Sequence, residues 1–302
     1  LKTVRFERPE LELLVRCGRT EPDAECESRI QELVESPLDW NVVMQFAVSH
    51  RMVPTLYRQL GRFTPDVLKR PELAPLIARV RNIAGRNLQM TQELIRLLGV
   101  LDRHGIPAIP IKGPLLAVGA FGNLAARQFE DLDILIRPKD ILRAREVIRA
   151  EGYEPERELT RAQVTAFLHD EHAFQYRRDG CRFVVELHWR LQDRYLCFPF
   201  DERDIWNSAT QRELMGHRVR CLNTRNLLLY LCMHGAKHYW ERLEWIACLP
   251  AVIRAEPDLD WAAVLQQAHG IGGIRILQLG MLLAHDLDGS RYTQAAVDLV
   301  DP

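Results

Sequence analysis

No CxxC pair occurs in this chain, and its seven cysteines (Cys17, Cys26, Cys181, Cys197, Cys221, Cys232 and Cys248) are an odd number. Both facts disfavour a disulfide framework or a zinc ribbon and fit reduced thiols in a cytoplasmic protein. No run approaches the ~20 apolar residues that a membrane-spanning helix needs. The richest, Leu227–Met233, is followed at once by His234. Residues 1–19 break their apolar positions with charges and lack the apolar stretch of a secretory signal. Neither sign of charge is in excess, since 40 Lys and Arg against 41 Asp and Glu give a formal net charge of −1. Proteins that bind long polyanions usually carry a basic surplus, so extended nucleic acid is disfavoured as a partner. A single local cationic pocket is still compatible with that balance. Gly (17) and Pro (16) are too scarce for a low-complexity chain.

What is present describes a globular protein. Of 302 residues, 47% are hydrophobic and 27% charged, which suits a sizeable core. Three regions are expected. Residues 1–104 read as helical, with apolar positions recurring at helical intervals and one long helix over Glu72–His104, open to breaks near Gly85 and Gly99. Residues 105–222 read as mixed α/β. Strand signals fall at Ile106–Ile111, Asp131–Ile136, Ala173–Arg177, Arg182–Trp189 and His217–Leu222. Pro107 and Pro110 mark the first of these as an edge or end strand. Pro114 opens a short helix, and Lys139–Ala150 forms an amphipathic helix closed at Gly152. Residues 223–302 return to helix. Asp39-Trp40 and Asp260-Trp261 each read as a helix start with a core tryptophan, an echo of packing with no functional repeat behind it.

Chemistry concentrates in the middle region. Asp131-Leu132-Asp133 opens an apolar strand, so the two carboxylates share a face while Leu132, Ile134 and Ile136 pack the other way. Carboxylates held side by side repel unless a cation lies between them. A hard ion such as Mg²⁺, shared with substrate phosphates, relieves that repulsion; two solvated surface acids are the plainer alternative. Upstream, Lys112-Gly113-Pro114 joins a strand to a helix start. Amide groups and the helix dipole there suit phosphate, Gly113 lets the backbone approach, and Lys112 adds a point charge. In Phe183–Trp189, alternation puts Val184, Glu186 and His188 on one face and Phe183, Val185, Leu187 and Trp189 on the other. Glu186 inside an apolar strand is a candidate third carboxylate, as metal ligand or as general base. An edge-strand glutamate facing water is the alternative.

Taken in order, IPIKGPLLAVGAFG, RQFEDLDILIRPKDILRAREVIRAEGY, VVELHWRL and LLLYLCMHGAKHYWERLEWI resemble the uncharacterised nucleotidyltransferase family of the polymerase-beta-like superfamily. With the lesser matches DWNVVMQFAVSHRMVPTLYRQL and DWAAVLQQAHGIGGIRIL, the resemblance runs from about Leu38 to Leu287. It implies a small mixed α/β sheet core, flanked by N- and C-terminal helical regions. It also implies Mg²⁺-dependent transfer of a nucleoside monophosphate from a nucleoside triphosphate to a hydroxyl acceptor, a small molecule or a protein, with two metal ions. On that basis Asp131, Asp133 and Glu186 hold metal and Lys112 and Gly113 approach the triphosphate. Arg127, four residues before Asp131, can reach phosphate, pair with the acid cluster or stand as an exposed loop arginine, and His188 can orient Glu186 or bind phosphate. The resemblance also implies that the helix carrying His234, Lys237 and His238 borders the cleft, where each either touches nucleotide or acceptor or makes a helix–helix hydrogen bond. Many relatives have Gly-Ser or Gly-Gly where this chain has Gly113-Pro114, and Pro114 offers neither hydroxyl nor N–H. Two alternatives therefore stay open: a catalytically weak nucleotide-binding or regulatory module, and a toxin-like enzyme acting on RNA or protein. His234 and His238 lack the His-Glu-x-x-His order of a zinc protease. His169, Asp170, Glu171 and His172 read as a solvated loop.

Overall fold

The computed structural model describes residues 6–19, 21–192, 198–289 and 296–298, so Cys197 lies outside the described residues. The chain begins with helices α1 (Pro9–Cys17), α2 (Ala24–Glu35), α3 (Trp40–Ser49) and α4 (Val53–Phe63). The long helix α5 (Ala74–Arg103) follows. It is unbroken at Gly85 and Gly99, where helical hydrogen bonding outlasts two weak helix formers. Next come β1 (Ala108–Pro110), α6 (Pro114–Phe121), β2 (Asp131–Ile136), α7 (Ile141–Ala150), β3 (Glu154–Pro155), α8 (Arg161–Asp170), β4 (Ala173–Arg177) and β5 (Val184–His188). The chain continues through α9 (Glu202–Asn207), β6 (Thr210–Leu214), β7 (His217–Cys221), α10 (Thr224–Lys237), α11 (Leu243–Ala255), α12 (Trp261–Gly270) and α13 (Ile274–Asp288).

These elements form two compact units, one of Leu1–Arg86, Gly119–Gln128 and Leu228–Pro302, the other of Asn87–Val118 and Phe129–Leu227. The first is helical. Its core gathers Leu13, Leu14, Ile30, Val43, Leu56 and Leu60 with Ile246 and Leu287. Asp39 and Asp260 cap their helices as expected, accepting from the amides of Asn41 and Ala263 respectively. Trp40 is buried, whereas Trp261 is only half-buried. Within this unit Glu12 is buried and accepts from Arg16 Nε at 2.8 Å and from Arg29 Nε and Nη2, each at 2.9 Å.

The second unit carries a five-stranded sheet in the order β1-β2-β5-β4-β3, in which β2 and β5 run parallel and the other neighbours antiparallel. β1 is an edge, where Pro107 and Pro110 withhold no needed donor. Leu132, Ile134 and Ile136 are buried to one side of β2, as are Val185 and Leu187 of β5. Ile141, Ala144 and Ile148 form the buried stripe of α7, which packs on β5. Each such aliphatic side chain stabilises the fold by roughly 1.5–3 kcal/mol.

Besides the short helix α9, three elements were not legible in the sequence pattern. β6 exposes four of its five residues and so shows no alternation. It pairs with β7 through Met215-Gly216, both with positive φ (50° and 80°), the two-residue turn that suits a twisted hairpin. The short β3 is the second. The third is α8, opened by a capping box between Thr160 and Gln163. It carries His169 and Asp170 in its last turn, which corrects the loop expected there.

Candidate functional site

The site sits on two adjacent parallel strands. Register places Asp133 beside Glu186 and Leu135 beside His188. With a side-chain period of two, Asp131 and Asp133 of β2 therefore share a face with Glu186 and His188 of β5. Glu186 stands on a central strand, so the alternative of an edge residue facing water is excluded. The strand leading out of β1 is held alongside, with Ile111 N–H donating to Asp133 O at 3.1 Å, and this brings Lys112 over the carboxylates.

Lys112 Nζ lies 3.0 Å from Asp131 Oδ1 and 2.5 Å from Asp133 Oδ2. The contact to Asp133 is ionic, without the direction of a hydrogen bond. His188 Nε2 lies 3.2 Å from both Asp133 Oδ1 and Glu186 Oε2. The second Glu186 oxygen accepts from Gln175 Nε2 at 2.8 Å, Gln175 being its register partner on β4. Asp133 and His188 are buried, while the Asp131 side chain is 35% exposed. Solvent thus reaches the site from the Asp131 side.

Electrostatics follow from this packing. Burial works against ionising Asp133, but the Lys112 charge and the His188 hydrogen bond outweigh it and hold its pKa well below the carboxylate range. Burial, then the neighbouring Asp133 charge, push Asp131 upward. Glu186 is lowered because the His188 hydrogen bond overcomes its burial. Burial alone would lower His188, yet the bonds to Asp133 and Glu186 raise it to about 9, so at neutral pH Nε2–H donates to both. Three carboxylates thus enclose two protein cations.

Lys112 shows what this face holds. An ammonium between two aspartate oxygens marks a place where a cation is stable, and clustered carboxylate oxygens suit a hard divalent ion. Among the described residues, the group whose ligand atoms all lie within 4.8 Å of one another is Asp133, Glu186 and His188. Sequence reasoning had named Asp131 with Asp133 and Glu186; Lys112 intervenes on the Asp131 side. Gln175 was missed, and the signal for it was its place opposite Glu186 in the β4–β5 hairpin.

Gly113 has φ 63°, a conformation that disfavours any side chain, and a Cβ there would stand 3.8 Å from Asp131 O. Pro114 is the first residue of α6 and is buried. Ala117 N–H donates to Gly113 O at 3.0 Å, which leaves the amides of Leu115 and Leu116 as first-turn donors not used inside the helix.

The remaining candidates belong to the helical unit. Arg127 Nε lies 3.1 Å from Glu244 Oε1, with both side chains buried, so its guanidinium is committed to an ion pair there. His234 and His238 join an aromatic cluster with Tyr230 and Trp245; the two imidazole centroids are 4.8 Å apart, and Trp245 lies 5.5 and 5.1 Å from them. Lys237 follows on the last turn of α10. After it, Tyr239 and Trp240 both take positive φ, and the Trp240 ring lies where a Cβ on Gly235 would stand, 2.3 Å away.

A family model described as uncharacterised nucleotidyltransferase matches residues 36–289. No curated protein matches the sequence. Among solved structures, the antibiotic-resistance factor ANT(2'')-Ia in solution is similar over 66% of this chain and 99% of that one, at 12% identity and a TM-score of 0.43. The lincomycin-bound lincosamide antibiotic adenylyltransferase LnuA is similar over 53% of this chain and 94% of its own, at 11% identity and a TM-score of 0.37. An antigenic nucleotidyltransferase-like protein from Paracoccidioides brasiliensis covers 62% of this chain and 90% of its own, at 15% identity and a TM-score of 0.34.

Proposed function

The chain belongs to the uncharacterised nucleotidyltransferase family, and we propose that it transfers a nucleoside monophosphate from a nucleoside triphosphate to a hydroxyl acceptor in a Mg²⁺-dependent reaction. The observation that carries this reading is the Lys112 ammonium lodged between Asp131 and Asp133, with Glu186 beside Asp133 on the next strand. Asp131, Asp133 and Glu186 would hold the metal. A divalent ion held by them would supply charge neutralisation for the triphosphate.

The other steps fall to the chain itself. Lys112, on a flexible stem, would turn from the carboxylates toward the phosphates and meet them as a point charge. Gly113 and the amides of Leu115 and Leu116 present donors to the same phosphates. Pro114 removes one donor of that turn but fixes the helix start, since its missing N–H would have no partner inside the helix. The acceptor oxygen attacks the α-phosphorus, the bond to the β-phosphate oxygen breaks, and pyrophosphate departs. The hydroxyl proton passes to a carboxylate of the cluster, with Glu186 the nearest to the solvent-facing side after Asp131. His188 keeps Asp133 and Glu186 oriented throughout.

The balanced charge of the chain supports a small acceptor over a long polyanion. The test is incubation of the protein with each α-labelled nucleoside triphosphate and Mg²⁺, followed by a search for labelled acceptor or labelled protein and for pyrophosphate. Label transfer that survives Asp131→Ala with Asp133→Ala would sink the proposal.

A further inference from the structure

Among the described residues, one stripe of helix α13 is left uncovered. Its other face is buried through Leu277, Gly280, Met281, Ala284 and Leu287 and packs on α11 and α12. Gly280 also brings the helix close to α10, where an added Cβ would meet Cys232 Sγ at 2.9 Å. That docked face fixes which residues point outward. From Ile271 to Gly289 the exposed positions are Gly272, Arg275, Leu279, Leu282, Asp286 and Gly289. At 100° per residue, the four inside the helix fall within a band of about 60°. Their alternating intervals, i+4 then i+3 then i+4, are those of a coiled-coil seam.

Leu279 is 45% and Leu282 48% exposed, and no other two large apolar side chains this exposed share an element among the described residues. Arg275 and Asp286 flank them, and neither side chain makes a hydrogen bond or ion pair with a described residue. The order of the stripe is the telling feature. Outward from the Gly280–Met281 bond it runs leucine, charged residue, glycine in both directions, with the charge inverted. Leu279 and Leu282 are equally far from that bond, as are Arg275 and Asp286, and Gly272 and Gly289. Such a stripe is complementary to itself under a two-fold axis through its centre. Antiparallel on a second copy, Leu279 meets Leu282 of the partner subunit and Arg275 meets Asp286 of the partner subunit, at both ends. The terminal glycines add no side chain to hold the helices apart. A parallel arrangement would set like charges against each other at each end.

We propose that α13 is an isologous interface through which two copies of this chain pair antiparallel. Nothing in this pairing depends on nucleotidyl transfer. One helix pair covers less than the ~1,600 Å² of a standard interface, so the dimer forms at micromolar or higher concentration. The exposed ion pairs at its ends make it weaken as salt rises.

Sedimentation velocity on the full chain, in a series reaching ~500 μM at low and high salt, reads the monomer–dimer equilibrium. Arg275→Glu sets like charges together at both ends and weakens association about 5–10-fold, since two exposed pairs per dimer turn from attraction to repulsion. Asp286→Arg does the same. An equimolar mixture of these two variants associates as tightly as the wild type, because one offers only acidic ends and the other only basic ones. Leu279→Glu weakens association more than about 10-fold by removing the apolar contact on both sides of the axis. All three side chains are exposed, and circular dichroism verifies the fold of each variant. A chain that stays monomeric through the whole series overturns the proposal. So does association that Arg275→Glu and Leu279→Glu leave unchanged, or that mixing the two charge variants fails to restore.

Discussion

His188 holds Asp133 and Glu186 through a single nitrogen, Nε2, which lies 3.2 Å from a carboxylate oxygen of each. Partners that orient a metal-binding carboxylate typically matter by about 10–100-fold in activity or metal affinity. His188→Leu is therefore expected to lose that much transfer activity. His188→Gln, which keeps an N–H near the same place, recovers part of it. Steady-state kinetics on the folded variants checks this, and equal activity of the leucine variant and the wild type refutes it.

Asp133 is the most deeply placed carboxylate and touches both protein cations. Asp133→Asn should reduce label transfer by on the order of 10²–10³, the scale of losing one preorganised electrostatic contact. Nucleotide binding by thermal shift should weaken in the presence of Mg²⁺ and change little in its absence.

Lys112 competes with any metal for the same two aspartates. Lys112→Met should lower the melting temperature in chelator, because Asp131 and Asp133 then repel each other unscreened. Added Mg²⁺ should restore more stability to this variant than to the wild type. On the proposed reading, in which Lys112 also serves the phosphates, activity should still fall. Differential scanning calorimetry with and without Mg²⁺ reads the first two effects.

Arg127 and Glu244 form a buried pair, and breaking such a pair from one side leaves an uncompensated charge. Arg127→Met is expected to cost about 3–5 kcal/mol of stability, measurable by denaturant unfolding. Arg127→Met with Glu244→Leu should recover much of that loss.

Glu12 gives the helical unit a pH signature. Its hydrogen bond from Arg29 leads the interactions that, against its burial, hold its pKa below the ordinary value of 4.5. A carboxylate with a depressed folded pKa contributes stability that is full above its unfolded pKa and lost as pH falls through the folded one. Acid titration should therefore destabilise the wild type below about pH 4.5 more steeply than Glu12→Gln, followed by circular dichroism.

Much of the candidate site's geometry was legible in the sequence because strand alternation is a strict rule. Asp131 with Asp133, and Glu186 with His188, share faces wherever their strands pair. What alternation cannot supply is which strands are neighbours and in which register. The β2–β5 pairing is non-local, and only it turns a glutamate and a histidine into partners of Asp133. The same limit hid Gln175 opposite Glu186. In the fold, β6 escaped notice because its exposed residues alternate in nothing, and its Met-Gly turn departs from the usual Asn-Gly signal. α5 survived two glycines because propensity is a weak prior beside cooperative helix formation.

The parallel alignment of β2 with β5 also governs when the site comes into being. Asp133 and Glu186 are about fifty residues apart in the chain, and a gap of that size must close before they meet. A growing polypeptide displays both aspartates and Lys112 well before Glu186 and His188 have been made. Until the later strand docks, those acids lack the glutamate and histidine that complete the cluster. On the proposed reading, nucleotidyl transfer is thereby withheld from incomplete chains, and activity would report that this strand pairing has formed.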